Sequence, residues 1–258
     1  MKGLNFPGSH DPHFCQFVID RSRHLLKPVR NRYINLTGSQ DGSVQMWEWG
    51  HSQAVTIPRP GGTFAKVTRV RFSQHGNKFG VADGDGNLSL FQTCQCHNKV
   101  TSDFVFLGSC SMVATAGHSS ESKNVALWDT LLPQKKSLIV AFTCHDQGAS
   151  SLVFAPQHQL LISAGKKGDV CIIDVRSRAM RQRFAAHDSA VKCLAVWSLT
   201  LHQVLYNFPG EHAKSSFFKP IGQGVTQLYL DGAARLFSCG ADGSMKFRQL
   251  PEERDYHT

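Results

Sequence analysis

The chain repeats itself, and that self-similarity limits the folds open to it more than any single residue does. Aligned on a turn, Gly42-Ser-Val-Gln-Met-Trp47, Gly86-Asn-Leu-Ser-Leu-Phe91, Lys123-Asn-Val-Ala-Leu-Trp128, Gly168-Asp-Val-Cys-Ile-Ile173 and Gly243-Ser-Met-Lys-Phe-Arg248 share one pattern. The second and fourth residues after the anchor are apolar, and the first and third are mostly polar. That period of two belongs to a half-buried strand. The preceding residues repeat as well, in Leu36-Thr-Gly-Ser-Gln-Asp41, Leu161-Ile-Ser-Ala-Gly-Lys-Lys167 and Leu236-Phe-Ser-Cys-Gly-Ala-Asp242. Strand, tight turn and strand make a hairpin, with glycine supplying the positive φ.

A third strand precedes each hairpin. Val67-Thr-Arg-Val-Arg-Phe72, Ala149-Ser-Ser-Leu-Val-Phe154 and Val225-Thr-Gln-Leu-Tyr-Leu230 end 14, 14 and 13 positions before Gly86, Gly168 and Gly243. Phe142-Thr-Cys-His145 and Phe184-Ala-Ala-His187 mark a fourth strand and the corner after it, with His145 and His187 42 residues apart. Four short antiparallel strands about every 40–45 residues are one blade of a propeller.

The turns Asp41-Gly42 and Asp242-Gly243, the strand ends Trp47-Glu48 and Trp128-Asp129, and the corners His145 and His187 resemble WD repeats across about residues 31–250. The resemblance implies an all-β propeller of about six four-stranded blades, at least one of them incomplete. Residues 1–30 are read as an irregular N-terminal segment with first-blade strands, and 251–258 as a tail. In WD repeats the corner His, a strand hydroxyl, the turn Asp and the Trp often form a hydrogen-bonded set. Ile173 and Arg248 stand at the Trp position here, so no copy clearly keeps all four, and blade rigidity is expected to lean on apolar packing.

One interval breaks the rhythm. Phe72 to Phe91 and Phe154 to Ile173 each span 19 residues, whereas Val196 is followed at once by its apparent counterpart Trp197. About 18 residues, the middle hairpin of a blade, are missing there by this spacing, and Gln203–Phe208 with His212 resumes the repeat as last strand and corner. The alternative is that Leu194–Phe208 is a native long connection.

Composition sets the remaining bounds. The start, MKGLNFPGSHDP, has no apolar leader core, and the longest apolar runs, such as Leu138–Phe142, are strand-sized. Eight cysteines (15, 94, 96, 110, 144, 171, 193 and 239) contain no C-x-x-C pair and read as reduced, buried thiols. Asp83-Gly-Asp85-Gly-Asn87 resembles the start of a calcium loop, but Leu88 and Cys94 occupy the positions that need Gly and Glu. Cys94-Gln-Cys96-His97 lacks the second ligand pair of a zinc site and reads as a loop after a strand. None of the thirteen histidines lies in a catalytic motif, and no phosphate-cradling loop occurs, so neither an enzyme nor a cofactor is expected. The net charge of +9 favours anionic partners. The densest cationic run, Arg176, Arg178, Arg181 and Arg183, is placed on a turn between two outer strands, where it reads first as a solvated face and second as a patch for an acidic protein or lipid head groups; it lacks the interleaved aromatics of a base-stacking surface, so nucleic acid is not expected.

Whole phrases narrow the family. LTGSQDGSVQMWEWGHSQ, GNKFGVADGDGNLSLFQT, CQCHNKVTSDFVF, NVALWDTLLP, HQLLISAGKKGD and LFSCGADGSMKFRQLP resemble the C-terminal WD-repeat region of the DmX-like, or rabconnectin alpha, proteins from about Tyr33 to Pro251. Members of that family carry additional residues between Thr93 and Cys94 and a full hairpin between Val196 and Trp197. The resemblance implies a non-enzymatic scaffold that works with a second WD-repeat subunit to promote assembly of the vacuolar proton pump and vesicle acidification. It implies links to regulators of Rab GTPases, no small-molecule substrate, and a cytoplasmic location, peripheral on synaptic or endosomal vesicles through partners. The runner-up is a substrate-recruiting propeller of a ubiquitin ligase or of a nucleic-acid-associated complex. A propeller hydrolase would need convergent ionisable groups in its central channel, which the motifs do not supply.

Overall fold

The structure is a computed structural model that describes residues 20–22, 34–48, 53–59, 65–73, 78–90, 93–108, 111–195, 212, 224–231, 233–240 and 242–250. Its strands form five antiparallel sheets in which spatial order follows chain order. The first holds β1 (Asp20–Ser22), β2 (Ile34–Gly38), β3 (Val44–Glu48) and β4 (Ala54–Thr56). The second holds β5 (Val67–Phe72), β6 (Phe79–Asp83), β7 (Asn87–Ser89) and β8 (Thr93–Gln95). The third holds β9 (Val100–Leu107), β10 (Met112–His118), β11 (Val125–Asp129) and β12 (Leu138–Phe142). The fourth holds β13 (Ala149–Ala155), β14 (Leu160–Gly165), β15 (Asp169–Asp174) and β16 (Ala179–Ala185). The last has three strands, β17 (Val225–Leu230), β18 (Arg235–Gly240) and β19 (Met245–Gln249).

The repeat therefore folds as all-β blades, five among the described residues where about six were expected. The remaining unit would fall between β16 and β17; Val196, Trp197 and Gln203–Phe208 lie outside the described residues, as do Phe91, the tail 251–258 and most of 1–30. One assignment is corrected. Cys94 is not in a loop, because Thr93–Gln95 pairs with Asn87–Ser89 as the fourth strand of the second sheet.

The inner strands of the second, third and fourth sheets bury both faces, which is why strands such as β14 read as nearly unbroken apolar runs, whereas β16 is exposed along its length. Leu36 and Val44 of the first sheet pack on Val67, Val70 and Val81 of the second. Ala82 and Leu88 pass the contact to Phe104 and Val113 of the third. Val105, Val125 and Leu127 meet Leu152, Leu161, Cys171 and Ile173 of the fourth. Ile162, Ala164 and Val170 on the far face of the fourth pack on Val191 and Leu194 of the segment that follows β16. Fully buried leucines such as Leu127 and Leu161 each contribute about 1.5–3 kcal/mol.

The first strand of four sheets carries a bulge at the same place. Register slips between Val67 and Arg69 and between Ala149 and Ser151. It slips likewise opposite Ala116/Gly117, between Thr101 and Asp103, and between Val225 and Gln227. The extra residue in each is Thr68, Ser102, Ser150 or Thr226. Two of these hydroxyls reach chain beyond their own sheet: Thr68 Oγ1 donates to the Thr101 carbonyl of β9, and Ser150 Oγ donates to the Val191 carbonyl in the segment after β16. A bulge re-aims its side chain out of the ladder, and at Thr68 it clasps the second blade to the third.

Candidate functional site

The hairpin turns and blade corners share one end of the sheets, and their residues form a small polar cluster in each blade. In the fourth sheet His145, 1% exposed, places Nδ1 2.6 Å from Asp169 Oδ2 and Nε2 2.9 Å from Ser163 Oγ. Burial, the largest influence, holds the imidazole below its ordinary pKa even beside Asp169. The neutral ring thus donates through Nδ1 and accepts the Ser163 hydroxyl at Nε2. The Trp position is filled by buried Ile173.

In the third sheet the Trp128 indole N–H donates to Thr115 Oγ1 at 2.9 Å, and Thr115 lies 3.1 Å from His97 Nε2. Ser119 Oγ, 3.3 Å from His97 Nδ1, stands where an Asp would be. Burial lowers the His97 pKa to about 4. In the last sheet His212 contacts Ser238 Oγ at 2.8 Å and Asp242 Oδ1 at 3.0 Å. The N–H and hydroxyl of Ser244, with His212, bring Asp242 down to about 2.

The first two sheets use other solutions. Trp47 Nε1 donates to Thr37 Oγ1 at 2.9 Å, while Asp41 accepts the Ser43 N–H at 2.8 Å. In the second sheet Arg59 takes the corner position and donates to Asp83 Oδ2 at 2.6 Å, and also to the Ala65 carbonyl at 2.7 Å. Asp83 Oδ1 accepts the N–H groups of Asp85 and Asn87 at 3.0 and 2.9 Å, so the calcium-like sequence is a self-satisfied turn.

Gly42, Gly86, Gly168 and Gly243 have φ of 84°, 90°, 86° and 78°. At Gly86 and Gly168 a Cβ would lie 1.9 and 1.8 Å from the carbonyl oxygens of His97 and His187. In the third blade Ser122, one residue before the aligned Lys123, takes the left-handed conformation at φ 61°.

His187 differs from His145. Its N–H donates to the Gly168 carbonyl at 3.0 Å, as that of His97 does to Gly86, so its backbone sits at a blade corner. Its side chain is exposed. His97 and His145 each bond a hydroxyl 18 residues downstream. The residue 18 after His187 is Leu205, which has no hydroxyl to offer.

The first strands of the second, third and fourth sheets meet at the axis around Asp103, which is fully buried. Arg71 grips it with Nε at 3.1 Å and Nη2 at 3.0 Å, and the Leu152 N–H donates to Oδ2 at 3.0 Å. Arg69 Nε lies 3.0 Å from Oδ1 but is too poorly aligned to form a hydrogen bond. Burial opposes the charge on Asp103, but Arg71 and Arg69 outweigh it and hold the carboxyl below its ordinary range. Cys193 lies near Arg69 and Asp103 and is bonded to the Leu228 backbone; burial pushes its thiol up to about 11. Ionisable groups do meet at the axis, yet the only carboxylate of this cluster is committed to two guanidinium groups and a backbone amide. No group of three or more His, Cys, Asp or Glu able to hold a metal occurs among the described residues.

The cationic run is less open than its sequence suggests. Arg181 pairs with Asp174, and Arg183 lies 3.1 Å from Asp169 and 3.4 Å from Asp146. Both sit on β16 rather than in the turn, which holds only Arg176 and Arg178. Those two form no ion pair among the described residues. No helix among the described residues is long and apolar enough to cross a membrane.

Four-stranded blades stacked in order, with a corner His bonded to a hydroxyl and a turn Asp, define a WD-repeat propeller. A family model described as WD domain, G-beta repeat, matches residues 136–174, from the end of the third sheet through β15. The chain is 49% identical over 253 residues to DmX-like protein 1 of Mus musculus and, to the same degree, to DmX-like protein 1 of Homo sapiens. Each alignment takes in 84% of this chain and 8% of the relative. The chain belongs to the DmX-like family, and it spans about 8% of the length of the curated relatives it matches. The aligned stretch is longer than the 84% of this chain that it covers, so the relatives carry residues with no counterpart here.

Proposed function

We propose that this chain is a protein-interaction scaffold that promotes assembly of the vacuolar proton pump and so vesicle acidification. Its partners in this reading are a second WD-repeat subunit, pump subunits and regulators of Rab GTPases. It acts in the cytoplasm, peripheral on synaptic or endosomal vesicles, which it reaches through those partners. The observation that carries the reading is the 49% identity to DmX-like protein 1. The fold suits the role, since polar clusters fix the turns and corners at one end of the second, third, fourth and last sheets and make a rigid surface for protein partners.

The same proposal assigns the chain six blade-like units, the fifth lacking its middle hairpin. The exposed side chain of His187 at a regular corner supports this, because the hydroxyl and Asp that would bury it belong to the missing strands. The test uses purified chain with separated peripheral and membrane sectors of the pump. The chain should bind the peripheral sector and speed recovery of ATP-driven acidification in vesicles carrying the membrane sector. Absence of both binding and faster recovery would overturn the reading.

A further inference from the structure

We propose that the cavity between the second and third sheets is a covalent-modification site for apolar α,β-unsaturated aldehydes, with Cys94 as the residue alkylated. The proposal is independent of pump assembly. The cavity encloses about 390 Å³, within the size range of small-molecule sites. Leu88 and Leu90, Phe106, Trp128, and Leu132 with Pro133 form its apolar wall, which suits a hydrocarbon chain, while Lys78 and Asp129 also line it. Cys94 lines the same cavity from β8 and is half-buried, so a bound chain holds an electrophile against its sulfur.

The neighbourhood favours the thiolate. The Cys96 thiol lies 3.6 Å from the Cys94 carbonyl, and Ser137 Oγ lies 3.9 Å from Cys94 Sγ. Cys96 is the larger influence and, with Ser137, outweighs burial to bring Cys94 down to about 7. Near neutral pH about half of it is then the nucleophilic form. Cys96 and Cys193 are pushed up by burial, and Cys144 is pushed up chiefly by its contact with Cys171. Cys171 is lowered, but it is fully buried and donates to the Cys144 carbonyl at 3.3 Å.

The reaction is conjugate addition. The Cys94 sulfur forms a bond to the β-carbon of the enal, and the C=C π pair moves to the α-carbon as an enolate. Water then supplies a proton to that carbon. Nothing leaves and no oxidant is needed, because the thiol proton has already passed to solvent. A bound alkyl chain raises the local concentration of the reactive carbon by about fourfold per buried methylene.

The test exposes the whole chain at pH 7 to trans-2-nonenal or to acrolein, the same electrophile without the chain. Adducts are counted by peptide mass spectrometry at all eight cysteines. Cys94 should be modified first, with a nonenal-to-acrolein rate ratio at least about tenfold above that of the other thiols. Nonanol should slow nonenal but not acrolein at Cys94. Leu90→Trp, which fills the cavity, should reduce the ratio to that of the other thiols while the acrolein rate stays within about twofold. If Cys94 reacts no faster than the others, the site is wrong. If the ratio is flat, or nonanol has no effect, the apolar specificity is wrong; the nonanol result stands even where Leu90→Trp does not fold.

Discussion

Asp103→Ala should cost more stability than any other single change at the axis. The Leu152 N–H, which is buried, loses its acceptor, and an unpaired buried amide costs about 1–3 kcal/mol. Arg71 and Arg69 lose their only buried anion. Arg71 is a third exposed and recovers part of the loss by hydration, which limits its share to about 1 kcal/mol. Arg69 is more enclosed, so the total comes to about 3–5 kcal/mol, the range seen when one partner of a buried ion pair is removed. At about 2–4 °C per kcal/mol this lowers the melting temperature by roughly 6–20 °C. The assay is urea unfolding at pH 7, read as a shift in midpoint at constant slope. Asp103→Asn keeps an acceptor for Leu152 and should recover about 1–2 kcal/mol. The carboxyl is held below its unfolded value, so its contribution is present above about pH 4 and is lost as pH falls through the folded pKa. Wild type should therefore lose stability in that window more steeply than Asp103→Asn. A loss under about 1 kcal/mol for the alanine variant would refute the view that this carboxylate ties three first strands together.

The other expectations concern the turns, a corner and the last sheet. Gly168→Val should destabilise by more than the roughly 1–3 kcal/mol of a strained φ, because its Cβ would also meet the His187 carbonyl; unchanged thermal unfolding would reject that geometry. Burial keeps His97 neutral with a pKa of about 4, against about 6.5 unfolded, so the unfolded chain takes up the proton first and stability falls as pH drops between those values. The fall should be about 2–3 kcal/mol and smaller in His97→Gln; parallel pH curves would show that the ring is not the titrating group. Tyr229, Phe237 and Phe247 form a row of rings at 6.1 and 5.3 Å on one face of the last sheet, with Tyr229 64% and Phe247 55% exposed. Tyr229→Lys with Phe247→Glu should reduce concentration-dependent light scattering; equal scattering would show that this face does not drive association.

Turns were the most legible part of the sequence, because glycine at positive φ followed by an alternating strand is a local requirement. Gly42, Gly86, Gly168 and Gly243 all hold that conformation. The polar clusters were only half legible. His145 could be placed at a corner from its spacing, but His97 was hidden beside two cysteines and read as part of a loop. A signal was available. Thr115-Ala-Gly117, Ser163-Ala-Gly165 and Ser238-Cys-Gly240 share a hydroxyl two places before a glycine, and the missing Cβ of each glycine makes room for the ring of His97, His145 or His212. Arg59 gave no such signal, since it replaces His by a different side chain that reaches the same turn carboxylate.

The sequence by itself determined the bladed all-β architecture and the family, because period-two strands, tight turns and a near-constant repeat length are encoded within short windows. Tertiary structure alone decided what meets between blades. Asp103 lies 32 residues from Arg71 and 49 from Leu152, and no local pattern reports a contact made by stacking first strands around an axis. It also decided how far Arg181 and Arg183 count as free charge, since the Asp partners that neutralise them reach β16 from a neighbouring strand and from the corner before β13. Charge in a sequence is a sum, whereas the field a partner meets depends on which charges the fold has already brought together.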